Sequence, residues 1–287
     1  MFVSNNTVGE VRQYIRKSLD QLYGRDESDA IAFWLLEELF GLSRMEIREG
    51  SHGLSESELL NVRSCVKRLE KGEPIQYVLG YTEFAGLKLE VGPEVLIPRP
   101  ETEELVQLVL RRHSGRLKVL DACSGSGCIA LALKCKLPDA VVSGVEVSEK
   151  ALSLSRRNAD RNKLDVRFDR LDLLDEASVL PGDLDLIVSN PPYVPSSEKQ
   201  TMHRNVLEYE PHIALFVEDD DALVFYQRLA EKGRYALKPG GHIYVEIHYD
   251  RADTIKTLWE SCGYTDVTIH TDLSGKQRFV AACWPGQ

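Results

Sequence analysis

The stretch LDACSGSGCIALAL, from Leu120 to Leu133, places Gly125 and Gly127 between an apolar run and a helix-like segment. The run LKVLDA is typical of a buried strand, and CIALALKCK is typical of a helix. Glycines at such a junction lack the Cβ atoms that would keep a ligand from the backbone, and the helix N-terminus adds free N–H groups. The pattern predicts a ligand-binding glycine loop. It is neither a complete G-x-G-x-x-G motif nor a P-loop, because the third glycine and a Gly-Lys-Ser are missing.

Downstream of this loop, strand-like and helix-like segments alternate to the end of the sequence. The next four predicted strands are AVVSGVEV, DVRFDRL, LDLIVS and GGHIYVEI. The last two runs, YTDVTIHTD and KQRFVAACW, are separated only by the turn Leu273-Ser274-Gly275, so we expect them to pair antiparallel. The alternation predicts an α/β fold with a doubly wound sheet of seven strands.

The segment before Pro100 has a different organisation. Residues 1–75 contain three stretches with apolar residues at helical spacing, one of which opens with a Ser55-x-x-Glu58 capping box. Residues 76–98 contain short β-like runs separated by glycines. We therefore expect a small helical-bundle domain over 1–75, a β-hairpin linker over 76–98 and the α/β domain over 99–287.

Composition and charge narrow the function classes. A hydrophobic content of 43% suits a buried core, and the net charge of −10 argues against stable nucleic-acid binding, which usually needs a basic surface. The sequence contains no apolar run of about 20 residues and no signal-peptide pattern, so we expect a cytoplasmic protein without a membrane partner. Six cysteines without a C-x-x-C pair predict neither a metal site nor a disulfide framework.

Two acidic residues lie at predicted strand ends near the glycine loop. Asp121 closes the first strand, where it can cap the loop or meet a cationic ligand. Glu146 closes the second strand, 25 residues later, where an acidic residue binds ribose hydroxyls in nucleoside-binding sheets. NAD and S-adenosylmethionine are the two candidate ligands. The second contains no phosphate, so the looser glycine loop suffices, and the antiparallel final strands favour a methyltransferase.

The stretch SNPPYV follows the apolar run LDLIVS, whose carboxyl end is expected beside the glycine loop. Pro191 and Pro192 have no N–H, so this backbone offers carbonyl acceptors without competing donors. The side-chain oxygen of Asn190 and the carbonyl of Pro191 can together accept both hydrogens of a planar –NH2 group. Tyr193 can stack on a flat substrate. We predict a clamp that orients an amide or aromatic amine for methyl transfer.

Other residues have two open interpretations each. Pro100 and the acids of PETEE can simply start a helix, or Arg99 and Thr102 can line the cofactor cleft. Glu210 and Pro211 in YEPHIAL belong either to a surface loop or to a loop that folds over the site. The same two interpretations apply to the whole loop 196–212. The basic run Arg156, Arg157, Arg161 and Lys163 is a solvated helix face or a partner contact, and His248 is a loop histidine or a base.

The order LIPRPETEELV, LDACSGSGCIALAL, SNPPYV, YEPHIAL and SGKQRFVAA resembles the release factor glutamine methyltransferases of the HemK/PrmC type. The resemblance covers nearly the whole chain. It implies a Rossmann-like class I methyltransferase domain that follows a helical substrate-recognition domain. It also implies transfer of a methyl group from S-adenosyl-L-methionine, with S-adenosyl-L-homocysteine as product. The acceptor would be N5 of the glutamine in the Gly-Gly-Gln motif of class I peptide chain release factors, and the enzyme a monomer.

The resemblance also implies site roles. Catalytic and substrate-binding roles fall on Asn190, Pro191, Pro192 and Tyr193. Cofactor-binding roles fall on Asp121, Cys123, Ser124, Gly125, Ser126, Gly127, Glu146, Asp172, Leu173 and Asn190. Cys123 stands where the family usually has glycine, which requires an ordinary φ angle there, and Leu173 stands where some members have an aromatic. Because NPPY also occurs in adenine-N6 and cytosine-N4 methyltransferases of DNA or RNA, that activity is the alternative, with a non-catalytic binding protein as a third hypothesis.

Overall fold

The computed structural model describes residue 3 and residues 5–286. They divide into two compact units. The first comprises the described residues up to Gly80 together with His203–Tyr209, and the second comprises Tyr81–Met202 and the described residues from Glu210 onward. The predicted bounds of 1–75, 76–98 and 99–287 remain a prediction. The structure differs from them at Ile75–Leu79, which is helical although the hairpin was expected to begin at 76.

The α-helices of the described residues are, in chain order, α1 (Val8–Tyr23), α2 (Arg25–Phe40), α3 (Arg44–Glu49), α4 (Glu56–Leu69), α5 (Ile75–Leu79), α6 (Pro100–Arg112), α7 (Cys128–Lys136), α8 (Glu149–Asn162), α9 (Arg204–Tyr209), α10 (Val224–Ala236) and α11 (Ala252–Ser261). The strands are β1 (Tyr81–Phe84), β2 (Leu87–Glu90), β3 (Lys118–Ala122), β4 (Val141–Glu146), β5 (Arg167–Arg170), β6 (Leu184–Ser189), β7 (Val194–Pro195), β8 (Phe216–Val217), β9 (Leu237–Glu246), β10 (Thr265–Thr271) and β11 (Gln277–Trp284).

The first unit is built from helices around one apolar core. Helix α1 buries one face at helical spacing, formed by Val8, Val11, Ile15 and Leu19. The predicted capping box of α4 is present, since the Ser55 side chain accepts from the Glu58 N–H and the Glu58 side chain accepts from the Ser55 N–H. Helix α3 was not predicted, because its six residues are too short for a periodic pattern.

The second unit contains the predicted seven-stranded sheet, in the order β10-β11-β9-β6-β3-β4-β5. Strands β9, β6, β3, β4 and β5 run parallel, and β11 pairs antiparallel with both β9 and β10. The doubly wound sheet with an antiparallel final pair is therefore confirmed. The chain leaves β3 toward β4 on one side, while β6 pairs on the other side of β3. The carboxyl ends of β3 and β6 consequently flank the crevice where such sheets bind ligands.

Close packing between β4, β5 and the start of the glycine loop requires a glycine at position 144. Gly144 lies in β4, and a Cβ atom built there would approach Phe168 Cδ1 to 2.5 Å and Ser124 Cβ to 3.1 Å. Phe168 is itself buried in the core beneath the loop. The glycine at 144 thus allows β5 and the loop to approach each other.

We expect Gly144→Ala to lower the free energy of unfolding by about 1–3 kcal/mol, because the added methyl overpacks a core that cannot move aside. Urea unfolding of the purified protein measures this. Gly182→Ala is the matched control, since its Cβ would meet nothing within 4 Å among the described residues. Equal midpoints for the two variants would contradict this account of the packing.

Candidate active site

One cleft of about 1120 Å³, including the solvent at its mouth, lies at the carboxyl ends of the parallel strands. Its walls come from the loop after β3, the end of β4, the segment after β5 and the end of β6. Among the predicted site residues, the cleft is lined by Cys123, Ser124, Gly125, Ser126, Glu146, Asp172, Leu173, Asn190 and Pro192. The fold therefore brings together residues that are up to 69 positions apart in the sequence.

The glycine loop makes a tight turn with three residues at positive φ. The φ angles are 61° at Cys123, 51° at Gly125 and 79° at Gly127, and Gly127 N–H donates to the Ser124 carbonyl at 2.7 Å. The expectation of an ordinary φ at Cys123 is therefore wrong. The left-handed conformation costs a residue with a Cβ about 1–2 kcal/mol, and the loop closure imposes it because Ser124 N–H bonds to the Val145 carbonyl of the neighbouring strand at 3.0 Å.

Glu146 connects the second strand to the glycine loop. Its Oε2 accepts from the Gly125 N–H and its Oε1 accepts from the Ser148 N–H, both at 3.0 Å. Each carboxylate oxygen has two acceptor positions, so both retain capacity for a ligand donor. Glu146 lines the cleft at the strand end where ribose hydroxyls were expected.

Asp121 lies beneath the loop. Its Oδ2 accepts from the Ala130 N–H of α7 at 3.0 Å, and among the described residues its Oδ1 has no hydrogen-bond partner. Burial raises the pKa of Asp121 to about 8, and the charge of Glu146 adds to the rise. Of the two sequence interpretations, capping of the loop agrees with this hydrogen bond to the first turn of α7. Asp121 is not among the described residues that line the cleft, and its predicted contact with a cofactor stays a prediction.

Asp172 and Leu173 enter the cleft after β5. Asp172 Oδ1 accepts from the Leu174 N–H at 2.9 Å, which fixes the turn that follows the strand. Leu173 is 4% exposed and belongs to the core on one side while lining the cleft on the other. The apolar contact expected at Leu173 is thus sterically available.

The NPPY segment extends from the end of β6 into the cleft. Pro191 and Pro192 are buried, and Asn190 Nδ2 donates to Thr102 Oγ1 at 3.0 Å. The Tyr193 hydroxyl donates to Glu246 Oε1 at 3.0 Å. Asn190 and Pro192 line the cleft, but Pro191 and Tyr193 are not among its described lining residues. Stacking of Tyr193 on a substrate is therefore less favoured by this geometry than a structural role for its hydroxyl.

Glu246 is the residue that sequence reasoning missed. It ends β9, is 1% exposed, and accepts from the Thr102 hydroxyl at 2.7 Å as well as from Tyr193. Burial raises its pKa to about 7. The available signal was an acid at the end of a predicted apolar strand, GGHIYVEI. Glu146 ends its strand in the same way.

The loops around the cleft resolve several open interpretations. Pro100 starts α6 as expected, and Thr102 on its first turn lines the cleft. Arg99 instead pairs with Glu210, whose other oxygen accepts from the Ile97 N–H at 3.1 Å. Residues Ile213 and Ala214, just after this ion pair, line the cleft. The part of YEPHIAL from Glu210 onward thus contributes to the site, and Glu210 ties it to the start of α6.

His248, Arg156 and Arg157 have structural partners, while Arg161 and Lys163 are exposed. His248 Nδ1 pairs with Asp250 rather than with a group in the cleft. Arg156 donates to the Phe168 carbonyl, and Arg157 pairs with Glu90. Within residue 3 and residues 5–286, no group of three or more His, Cys, Asp or Glu side chains could hold a metal ion. A search of the same described residues finds no helix long and apolar enough to cross a membrane.

The buried carboxyl of Asp121 predicts a pH-dependent stability. The unfolded chain releases this proton near the usual value of 3.8 and the folded chain near 8, so between these values only the folded state holds it. The free energy of unfolding therefore falls as the pH rises from about 4 to 8. We expect urea unfolding to show Asp121→Asn gaining stability relative to the wild type between pH 5 and pH 8. The raised pKa of Glu246 affects the wild type and Asp121→Asn equally, so its contribution cancels in the difference between their free energies of unfolding. If the free energies of unfolding of the two proteins changed in parallel with pH, the raised pKa of Asp121 would be contradicted.

Comparison with known proteins agrees with this fold. Residues 10–80 match the family described as PrmC N-terminal domain, and residues 99–211 match the methyltransferase small domain. A crystal structure of a methyltransferase from Pyrococcus furiosus has a TM-score of 0.52 with 20% identity, covering 70% of this chain and 90% of that chain. At this identity the likeness supports the fold alone.

Curated relatives match over a greater length. The release factor glutamine methyltransferase of Bacteroides thetaiotaomicron is 40% identical over 276 residues, which covers 96% of this chain and 99% of the relative. The enzyme of the same name from Flavobacterium psychrophilum is 38% identical, over 92% of this chain and 94% of the relative. With both domain families matched and a methyltransferase fold around the cleft, the chain belongs to the release factor glutamine methyltransferase family.

Proposed function

We propose that this chain transfers the methyl group of S-adenosyl-L-methionine to N5 of the glutamine in the Gly-Gly-Gln motif of class I peptide chain release factors. The observation that carries the proposal is the position of Asn190-Pro191-Pro192 at the end of β6, with Asn190 lining the same cleft as the glycine loop and Glu146. This shared lining supports a clamp for a planar amide beside a nucleoside-binding site.

The cleft residues fit the proposed cofactor. A Cβ at Gly125 would meet nothing within 4 Å in the described chain, so the loop backbone is open to a ligand. Ser124 is buried, lines the cleft, and among the described residues its Oγ has no hydrogen-bond partner. Glu146 and Asp172 supply acidic groups, which suit ribose hydroxyls, an adenine amino group and a cationic ligand. Asp121 would support the loop from beneath.

S-adenosyl-L-methionine supplies an electrophilic methyl group on a positively charged sulfur, and S-adenosyl-L-homocysteine remains after transfer. The chain's own residues orient the acceptor. Asn190 Oδ1 and the Pro191 carbonyl would each accept one hydrogen of the glutamine –NH2 group. An amide nitrogen is a poor nucleophile, so the two bonds contribute by directing its lone pair and by favouring its tetrahedral form. No dedicated strong base is required if the proton leaves after charge has built up on nitrogen.

The remaining parts of the proposal concern the partner and the setting. The helical N-terminal domain would bind the release factor, while the α/β domain performs the transfer. We expect the enzyme to act as a monomer. It would hold no stable nucleic acid, in keeping with the net charge of −10. A cytoplasmic location follows from the substrate, since translation termination takes place there.

Labelled S-adenosyl-L-methionine tests the acceptor. We expect label on a class I release factor, and none on the same factor with its Gly-Gly-Gln glutamine changed to alanine or on duplex DNA. Label on DNA would overturn the proposal in favour of an adenine-N6 or cytosine-N4 methyltransferase. Equal label on the alanine variant would remove the glutamine assignment.

Asn190→Ala tests the clamp. We expect kcat to fall by about 10²-fold or more, because the acceptor nitrogen loses its orientation, while the cofactor dissociation constant changes much less. Steady-state kinetics and cofactor titration measure the two quantities. Asn162→Ala is the control, since Asn162 lies at the end of α8 and bonds to the Lys88 carbonyl. Equal losses of turnover and cofactor affinity at Asn190 would count against the clamp.

A further inference from the structure

Three elements converge on the side chain of Asn190. Strands β6 and β9 are parallel with Ser189 opposite Val245, so the next residues, Asn190 and Glu246, end neighbouring strands side by side. The first turn of α6 contributes Thr102, which is 2% exposed. The Thr102 hydroxyl donates to Glu246 Oε2 at 2.7 Å and accepts from Asn190 Nδ2 at 3.0 Å. A hydrogen-bonded chain therefore runs from a buried carboxylate to the proposed substrate clamp.

The direction of each of these hydrogen bonds follows from the number of hydrogens that each group can donate. An ionised carboxylate can only accept, so both hydroxyls that reach Glu246 must point their single hydrogen toward it. Thr102 then has only lone pairs left for Asn190. The Asn190 amide must consequently present its –NH2 end to Thr102, which leaves the Oδ1 end for a ligand in the cleft.

We propose that Glu246, acting through Thr102, is the positioning residue that holds the Asn190 amide with Oδ1 available to accept from the substrate –NH2 group. The inference rests on the proposed function, because it concerns how the clamp meets a glutamine amide. With the amide turned over, the Asn190 –NH2 would face the substrate –NH2, and two donors cannot bond to each other. The orientation is therefore a condition for turnover rather than a detail of packing.

The protonation of Glu246 sets this orientation. A protonated Glu246 can donate to Thr102, whose hydroxyl can then donate to Asn190 Oδ1 and turn the amide over. The pKa of Glu246 is raised to about 7 by burial, with Thr102, Tyr193 and Arg278 opposing the rise and Glu101 adding to it. Tyr193 stays neutral, because burial and the charge of Glu246 raise its pKa well above the usual value.

The same pKa gives the expected sign for turnover. Below about pH 7 the carboxyl of Glu246 is protonated in a growing fraction of molecules, and above it the carboxylate predominates. We expect kcat to rise as the pH increases through about 7. Besides Tyr193, Arg278 and Glu101, the Cys128 thiol is a further titratable group that interacts with Glu246. Burial raises the Cys128 pKa to about 12, so it does not titrate near pH 7.

Substitutions at Thr102 distinguish a role in orienting the Asn190 amide from a role in packing alone. We expect Thr102→Val, which keeps the side-chain shape, to lower kcat about tenfold, to leave KM for the release factor within about twofold, and to lose the rise of kcat with pH. Thr102→Ser keeps the hydroxyl and should restore most of kcat together with the rise. Glu246→Gln should also lose the rise, because an amide does not titrate. Thr82→Val is the control, since it removes another buried threonine hydroxyl, in β1.

A merely structural role would give a different pattern. It would lower kcat of Thr102→Val by a constant factor and leave a pH profile parallel to the wild type. That result, or a Thr102→Val enzyme with wild-type kcat, would overturn the inference.

A ligand-free readout keeps the inference separate from the proposed function. The 15N–1H signals of the Asn190 side chain, assigned by their loss in Asn190→Ala, report on the amide orientation. We expect them to change through about pH 7 in the wild type and in Thr102→Ser, and to be insensitive to pH in Thr102→Val. If the wild type methylates no release factor but shows this pattern, the proposed function fails and the orientation by Glu246 stands. Signals that change equally in all three proteins overturn the inference, whatever the activity.

Discussion

The parallel pairing of β3 with β6 and of β6 with β9 is the constraint on which the site depends. The register sets Ala122 opposite Ser189 and Ser189 opposite Val245, so three strands end at one level. The glycine loop and the NPPY segment follow the ends of β3 and β6, and Glu246 is the last residue of β9. Parallel strands place their carboxyl ends at the same edge, and a slip of one residue would turn each side chain to the opposite face.

Two buried carboxyl groups beneath the cleft differ in how the fold satisfies them. Asp121 accepts from the Ala130 N–H of α7 through one oxygen, and among the described residues its other oxygen has no partner. Glu246 has a hydroxyl donor on each oxygen. Burial raises both pKa values, to about 8 and about 7. Hydrogen bonds to the ionised form oppose that rise in pKa. The negative charge is therefore better accommodated at Glu246 than at Asp121, and the proposed orientation of the Asn190 amide requires Glu246 to be ionised.

The glycine loop and the segment after β6 both have unusual backbone. Cys123 has a φ of 61°, a conformation in which a Cβ is costly, and the segment after β6 carries two consecutive prolines. The surrounding sheet holds the loop in place, with Ser124 N–H bonded to the Val145 carbonyl. Residues held in sparsely populated backbone regions are frequent at functional sites, where the rest of the fold over-determines them.

The sequence by itself determined the features that arise from local chemistry. Alternating apolar runs predicted the sheet and its helices, a short turn predicted the antiparallel β10–β11 pair, and the prolines after β6 predicted an interrupted strand beside the glycine loop. The capping box of Ser55 and Glu58 also needed only four consecutive residues. Each of these depends on neighbours in the chain, whose spacing is visible in the sequence.

Only the tertiary structure decided which side chains meet. Thr102 and Glu246 are 144 residues apart, and Tyr193 and Glu246 are 53 residues apart. Their hydrogen bonds follow from strand register and from the path of α6, neither of which leaves a local pattern. The positive φ at Cys123 was likewise set by closure of the loop against β4, and not by the preference of cysteine. The sequence therefore determined which segments form the cleft. The pairing of the sheet and the path of α6 decided that Asn190 bonds to Thr102, which in turn bonds to the buried carboxyl of Glu246, because contacts between distant segments form only when the sheet assembles.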